Sequence, residues 1–226
     1  MSTTTMSNAG TVRIWDLPTR LFHWALAFSV IGAYITVKMG NMDWHIRLGE
    51  WVFCLILFRI LWGFIGPHYA RFSQFLKGPG TILTYLKSGK KVFGHNPLGA
   101  WSVIALLALF GFQAVTGLYT GDGYFYQGPL YSIGRGIRKT MTSWHSQTEI
   151  YMIILFVLHV GAVFFYKFFK KDNLITPMIT GKAQLTKDAP ADLVNVEQTG
   201  GMWIRFAIAF GIAVLVTYYI SNGLSF

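Results

Sequence analysis

WHSQTEIYMIILFVLHVGAVFFYKFFKK, residues 144–171, decides the fold. From Ile150 to Tyr166 it contains no Asp, Glu, Lys or Arg. A bilayer core of about 30 Å needs roughly twenty apolar residues in a helix, and this stretch supplies them. It nevertheless carries two imidazoles, His145 and His159, fourteen residues apart. Polar side chains at membrane depth are costly, and they usually face a bundle interior and a partner there.

The rest of the chain agrees with a membrane reading. It has 226 residues, of which 53% are hydrophobic, 17% aromatic and 12% charged. Soluble domains carry about 25% charged residues. Mean hydropathy is +0.45. Five segments qualify as spans: about 21–38, 46–66, 98–119, 149–168 and 202–220. Lipid offers backbone amides no partner, so helices are the expected solution. The fold class is therefore all-α integral membrane: a four-helix transmembrane bundle plus a fifth C-terminal transmembrane helix.

The net charge of +10 does not indicate nucleic acid, because the basic residues sit in short loops beside apolar segments. One cysteine, Cys54, excludes an internal disulfide and any cysteine-based cluster. No A-x-A-like cleavage site follows the first apolar run, which is read as retained.

Loop charge predicts the topology. The N-terminal segment, the loop 67–97 and the loop 167–201 hold twelve Lys and Arg, among them Arg13, Arg20, Arg71, Lys77, Lys87, Lys170 and Lys182. The opposite side holds only Lys38, Arg47, Arg135, Arg138 and Lys139. That asymmetry puts the N-terminus in the cytoplasm and the C-terminus outside. The expected organisation is a cytoplasmic segment 1–20, a bundle 21–183, a cytoplasmic linker 184–201, and a fifth helix with a short tail, 202–226.

Topology sorts the histidines by depth. His23 lies near the cytoplasmic start of the first helix and His45 at the outer start of the second. Fourteen residues at 1.5 Å rise span about 21 Å and turn almost four times, leaving about −40°. His145 and His159 therefore share a face, one near the outer surface and one toward the cytoplasm. The matched depths pair His23 with His159 and His45 with His145. Haem iron accepts axial histidine, and two flat apolar macrocycles suit so aromatic a bundle. Hydrogen-bonded packing or a proton path would use such residues too. His68 and His95, in the loop 67–97 between Gly and Pro, read as loop residues without a deep partner.

The chain resembles the prokaryotic di-haem cytochrome b group, which includes cytochrome b561 and the b-type cytochrome subunit of nickel–iron hydrogenases. The resemblance runs from about residue 12 to 183. It lies in VRIWDLPTRLFHW with His23, HIRLGEWVFCLILFRILWGFIGPHYARF with His45, HNPLGAWSVIALLALFGFQAVTGLY, WHSQTEIYMIILFVLHVG with His145 and His159, and DNLITPMITGKA. Many members stop at four helices, so residues 202–220 are a departure. The resemblance implies two b haems with His23, His45, His145 and His159 as axial ligands. It implies electron transfer across a bacterial inner membrane between a periplasmic redox partner and a quinone. That partner would be a hydrogenase-type subunit or a c-type cytochrome. An autonomous oxidoreductase, for example one oxidising superoxide at the outer haem, fits the same fold. A haem-free anchor or a proton-coupled transporter is the reading from a different class.

Other residues carry two readings each. Arg59, fourteen residues after His45, falls near the inner haem and could meet a propionate or a quinone oxygen, or snorkel to the loop. Glu50 reads as a partner of Arg47 or as a group near the outer haem. Gly111 and Gly117 read as helix-packing residues that could also admit ring faces. Gln113 is a polar core residue with no assigned role. Arg135, Arg138 and Lys139 form an outer basic patch, either solvated or docking an acidic partner.

Overall fold

A computed structural model describes residues 10–88, 92, 94–185 and 201–224. Among these, five helices are long and apolar enough to cross a membrane. They are α1 (Leu17–Lys38), α2 (Met42–Ile65), α5 (Pro97–Leu118), α6 (Arg138–Phe168) and α8 (Met202–Ser221). Shorter elements lie between them: a 3-10 turn at His68–Ala70, α3 (Phe72–Phe75), α4 (Pro79–Ser88) and α7 (Ile175–Thr180).

Each long helix starts where its sequence supplies a cap. Asp16 accepts the Thr19 backbone N–H at 2.8 Å, with Pro18 in the first turn of α1. Asn41 does the same for α2 through Trp44, and Asn96 for α5 through Gly99 at 2.7 Å. These side chains satisfy donors that a helix start leaves unpaired. The chain between α1 and α2 turns through Gly40, whose φ of +73° a side chain would resist.

Helix α2 is the axis of the bundle and packs on α1, α5 and α8. Its buried residues include Cys54, Leu55, Phe58 and Trp62. Helix α6 packs mainly on α5, and none of its 31 residues is fully buried. The outward faces are apolar, as lipid requires; Phe28, Phe64, Ile204 and Leu215 are all exposed. Helix α8 lies against α2. Ala209 and Ala213 are wholly covered there, and Phe206 and Phe210 meet the ring of Phe58.

The described parts of the three segments expected to share a side lie at one end. Strand β1 (Thr11–Arg13) pairs antiparallel with β2 (Lys182–Gln184), which joins the N-terminal segment to the chain after α6. Trp15 meets His95 of the loop between α2 and α5, with ring centroids 4.6 Å apart. At the other end, residues 121–129 form a built loop. The Asp122 carboxylate accepts the backbone N–H groups of Tyr124, Phe125 and Tyr126 at 2.9, 2.9 and 3.0 Å. Those bonds hold the carboxyl below its ordinary range. Tyr124 and Phe125 are 88% and 84% exposed at its tip.

The main departure from expectation is the start of α6. The helix begins at Arg138, eleven residues before the apolar segment at 149. Those residues are mostly polar or charged, so hydropathy does not register them, yet they hold His145 in helix. Of the expected linker 184–201, residues 186–200 lie outside the described residues.

Candidate cofactor-binding site

Two pairs of imidazoles face each other across the bundle. His23 of α1 and His159 of α6 have ring centroids 6.4 Å apart, with planes at 50°. His45 of α2 and His145 of α6 have centroids 6.1 Å apart, with planes at 80°. The first pair lies at the β1–β2 end and the second at the loop end. On α6 the two histidines are separated by about 21 Å of helix. Two imidazoles that bind one metal from opposite sides, at bonds of about 2 Å, place their centroids about 6 Å apart. Both separations fit a shared metal.

The surroundings fit as well. A metal-binding imidazole usually donates its second N–H to an oxygen, which fixes the ring. His45 Nδ1 lies 2.8 Å from the Ala33 carbonyl of α1, and His145 Nδ1 lies 3.0 Å from the Gln113 carbonyl of α5. With Nδ1 donating in each, Nε2 is left as the ligand atom of both rings. In the other pair, His23 Nδ1 is buried and has no hydrogen-bond partner among the described residues.

His145 sits in a seat made by one face of α5. Its Nδ1 is also 3.2 Å from Thr116 Oγ1, and Gln113 Nε2 donates to the His145 carbonyl at 2.9 Å. Thr148 donates a hydroxyl to Gln113 Oε1. One turn along, Gly117 makes room for the ring: a Cβ there would stand 3.0 Å from His145 Cε1 and 3.4 Å from Nδ1. Gly111 meets only Ile56, at an ordinary 3.4 Å. Gln113 and Thr116 are site residues that sequence reading missed. Their one signal is spacing: 113, 116 and 117 fall on a single helical face.

Arg59 is 2% exposed. It donates to the Ala70 carbonyl at 3.1 Å and lies 5.0 Å from the Phe72 ring centroid. The buried Asp16 carboxylate offsets its charge. Asp16 in turn accepts from Trp62 Nε1 at 3.1 Å. Gly63 lets Phe72 close over this group, since a Cβ there would collide with the ring.

His95 is more embedded than a loop histidine was expected to be. Its ring lies 4.3 Å from Phe75 and 4.6 Å from Trp15. Burial first, then the charges of Arg59 and His23, push it down to about 3, so it is neutral at physiological pH. With His68, Tyr69, Gln74 and Lys77 it lines a cavity of about 270 Å³. At the outer end, Lys38 bridges Glu149 at 2.6 Å, which ties α1 to α6 one turn from His145. Arg138 stands over the Tyr131 ring at 4.4 Å.

Fold and site together define a multi-pass helical membrane protein with paired histidines on facing helices. Residues 14–181 match the family described as prokaryotic cytochrome b561, and the chain belongs to that family. It is thus a b-type cytochrome of the hydrogenase-associated kind, a haem-binding carrier of electrons in the membrane. A probable Ni/Fe-hydrogenase B-type cytochrome subunit of Bradyrhizobium diazoefficiens is 25% identical, over 77% of this chain and 86% of the relative. Proteins so named in Azotobacter vinelandii and Rhizobium leguminosarum bv. viciae are 23% and 25% identical. They cover 79% and 78% of this chain, and the match spans 91% and 90% of their own lengths. No solved structure matches the chain.

Proposed function

We propose that this protein holds two b haems, one between His23 and His159 and one between His45 and His145, and passes electrons between them across the membrane. The observation that carries this is the pair of centroid separations, 6.4 and 6.1 Å, at opposite ends of one bundle. Bound haem supplies one-electron chemistry at its iron. The chain supplies ligands, orientation and exclusion of water. Helix α6 contributes one ligand to each centre and so sets their spacing. The carbonyls of Ala33 and Gln113 hold the outer rings in the tautomer that ligates. Arg59 offers a buried cation on the inner side, for a propionate or a quinone oxygen.

The β1–β2 end is cytoplasmic in this reading, because it gathers the Lys- and Arg-rich segments; the membrane is the bacterial inner membrane. The outer centre exchanges electrons with a periplasmic redox protein, a Ni/Fe hydrogenase by the names of the relatives. The inner centre exchanges them with a quinone. The cavity at His68 and His95 supports that assignment, since it lies within electrostatic reach of His23 and offers polar groups beside rings.

The test is to add a short-chain quinol to oxidised holoprotein in nanodiscs and follow the b-type absorption bands. Wild-type protein is reduced rapidly. The His159→Ala variant keeps its outer haem and is reduced slowly. Failure of quinol to reduce the wild-type haems contradicts the quinone assignment, and a spectrum without b-type bands contradicts haem.

A further inference from the structure

We propose that Gln113, with Thr116, is the positioning residue that makes the two haem centres unequal, setting the outer centre to the lower potential. The inference rests on the two-haem reading above.

Gln113 holds α6 at three points. Its main-chain carbonyl takes the Nδ1–H of His145 at 3.0 Å. Its carboxamide N–H donates to the His145 carbonyl at 2.9 Å. Its carboxamide oxygen receives the Thr148 hydroxyl, one turn before which lies Trp144, whose carbonyl Thr148 also bonds at 2.8 Å. Thr116 adds a second oxygen 3.2 Å from Nδ1. Its own proton goes to the carbonyl of Phe112 or Gln113, at 2.9 and 3.0 Å, so toward His145 it acts as acceptor. Ring, peptide and neighbouring turn of α6 are thereby clamped to one face of α5. A carboxamide inside an apolar helix would otherwise be costly; here both of its ends are satisfied.

The consequence is electronic as well as mechanical. An imidazole that donates Nδ1–H to an oxygen is a stronger σ-donor through Nε2, and a stronger donor favours the oxidised metal. Both outer ligands have such an acceptor: His45 in Ala33, and His145 in Gln113 and Thr116. On the inner side, His23 Nδ1 is buried with no such acceptor among the described residues. The two bis-histidine centres therefore differ in their second-sphere oxygens. That difference orders them, outer below inner, so an electron arriving at the outer centre moves inward downhill.

The experiment is a potentiometric titration of the holoprotein in nanodiscs, with ferric low-spin EPR, for wild type, Gln113→Leu and Thr116→Val. Thr116→Val is nearly isosteric and keeps a test in hand if Gln113→Leu does not fold. The outer centre is identified as the one lost in His45→Ala. The expected result is two resolved midpoints in the wild type, the outer one lower. Thr116→Val, which removes a side-chain oxygen from Nδ1, raises the outer midpoint. Gln113→Leu, which keeps the main-chain acceptor but frees the His145 peptide and Thr148, shifts the outer midpoint and alters its EPR signal through the orientation of the ring. Neither moves the inner centre. Unmoved outer midpoints in both variants, or equal shifts at both centres, would overturn the proposal. Fewer than two haems in the wild type would overturn the two-haem reading and this inference with it.

Discussion

Gly117→Ala gives the site a perturbation of one methyl group. The new Cβ would stand 3.0 Å from His145 Cε1 and 3.4 Å from Nδ1, so the ring must give by a few tenths of an ångström. It cannot do so freely, because its Nδ1 is held by Gln113 and Thr116 and its peptide by the Gln113 carboxamide. Forcing a methyl into such a place costs about 1–3 kcal/mol. At tenfold per 1.4 kcal/mol that is roughly a 5- to 150-fold loss of affinity for the outer haem. The helix itself responds oppositely, since Ala in a helix interior is favoured over Gly by roughly 0.5–1 kcal/mol. That gain offsets part of the strain, so the apo fold weakens by less than the haem site does. The assay is haem content after dilution into haem-scavenging apomyoglobin, read together with thermal unfolding of the apo protein. Gly111→Ala is the matched control, because its Cβ makes only an ordinary 3.4 Å contact with Ile56. The expected result is selective loss of one haem in Gly117→Ala and none in Gly111→Ala. Equal haem retention in both would refute the seat as drawn.

Two other outcomes follow from parts of the chain outside the histidine pairs. Ala213→Leu, at a position wholly covered by α2, should destabilise the packing of α8 by about 1–3 kcal/mol while both haems remain, because α8 contributes to neither pair; melting temperature and haem content separate the two effects. At the outer loop, the Asp122 carboxyl lies below its ordinary range because three backbone N–H groups favour its charged form. A depressed carboxyl stabilises above its unfolded value and loses that contribution as pH falls through the folded one. Amide protection at Tyr124, Phe125 and Tyr126 should accordingly persist at neutral pH, fade on acidification, and be absent at every pH in Asp122→Ala. Protection that survives the substitution would show the loop to be held by something else.

Much of this architecture is legible in sequence because lipid makes periodicity and charge unusually strict. Helices α1, α2, α5 and α8 start and stop within a few residues of their apolar runs, since the same hydrocarbon thickness selects both. The facing of His145 and His159 follows from helical period alone. What escaped was polar or tertiary. The first three turns of α6 are helical without being apolar. Strands β1 and β2 have three residues each, too few to show alternation. Gln113 declares itself polar but not what it binds, because its partners sit 32 and 35 residues away on another helix. His95 looks like a loop residue until Trp15 and Phe75, distant in sequence, close around it. Arg59 finds the Ala70 carbonyl only because the chain after α2 folds back under the helix end.

Whether two haems sit between these histidine pairs is read from the number of haems per chain by pyridine haemochrome, for wild type and for the four single histidine-to-alanine variants. Two b haems are expected in the wild type and one in each variant. His23→Ala and His159→Ala would share one residual spectrum, and His45→Ala and His145→Ala would share the other. A single haem in the wild type, or loss of the same haem from His45→Ala and His159→Ala, would contradict this assignment.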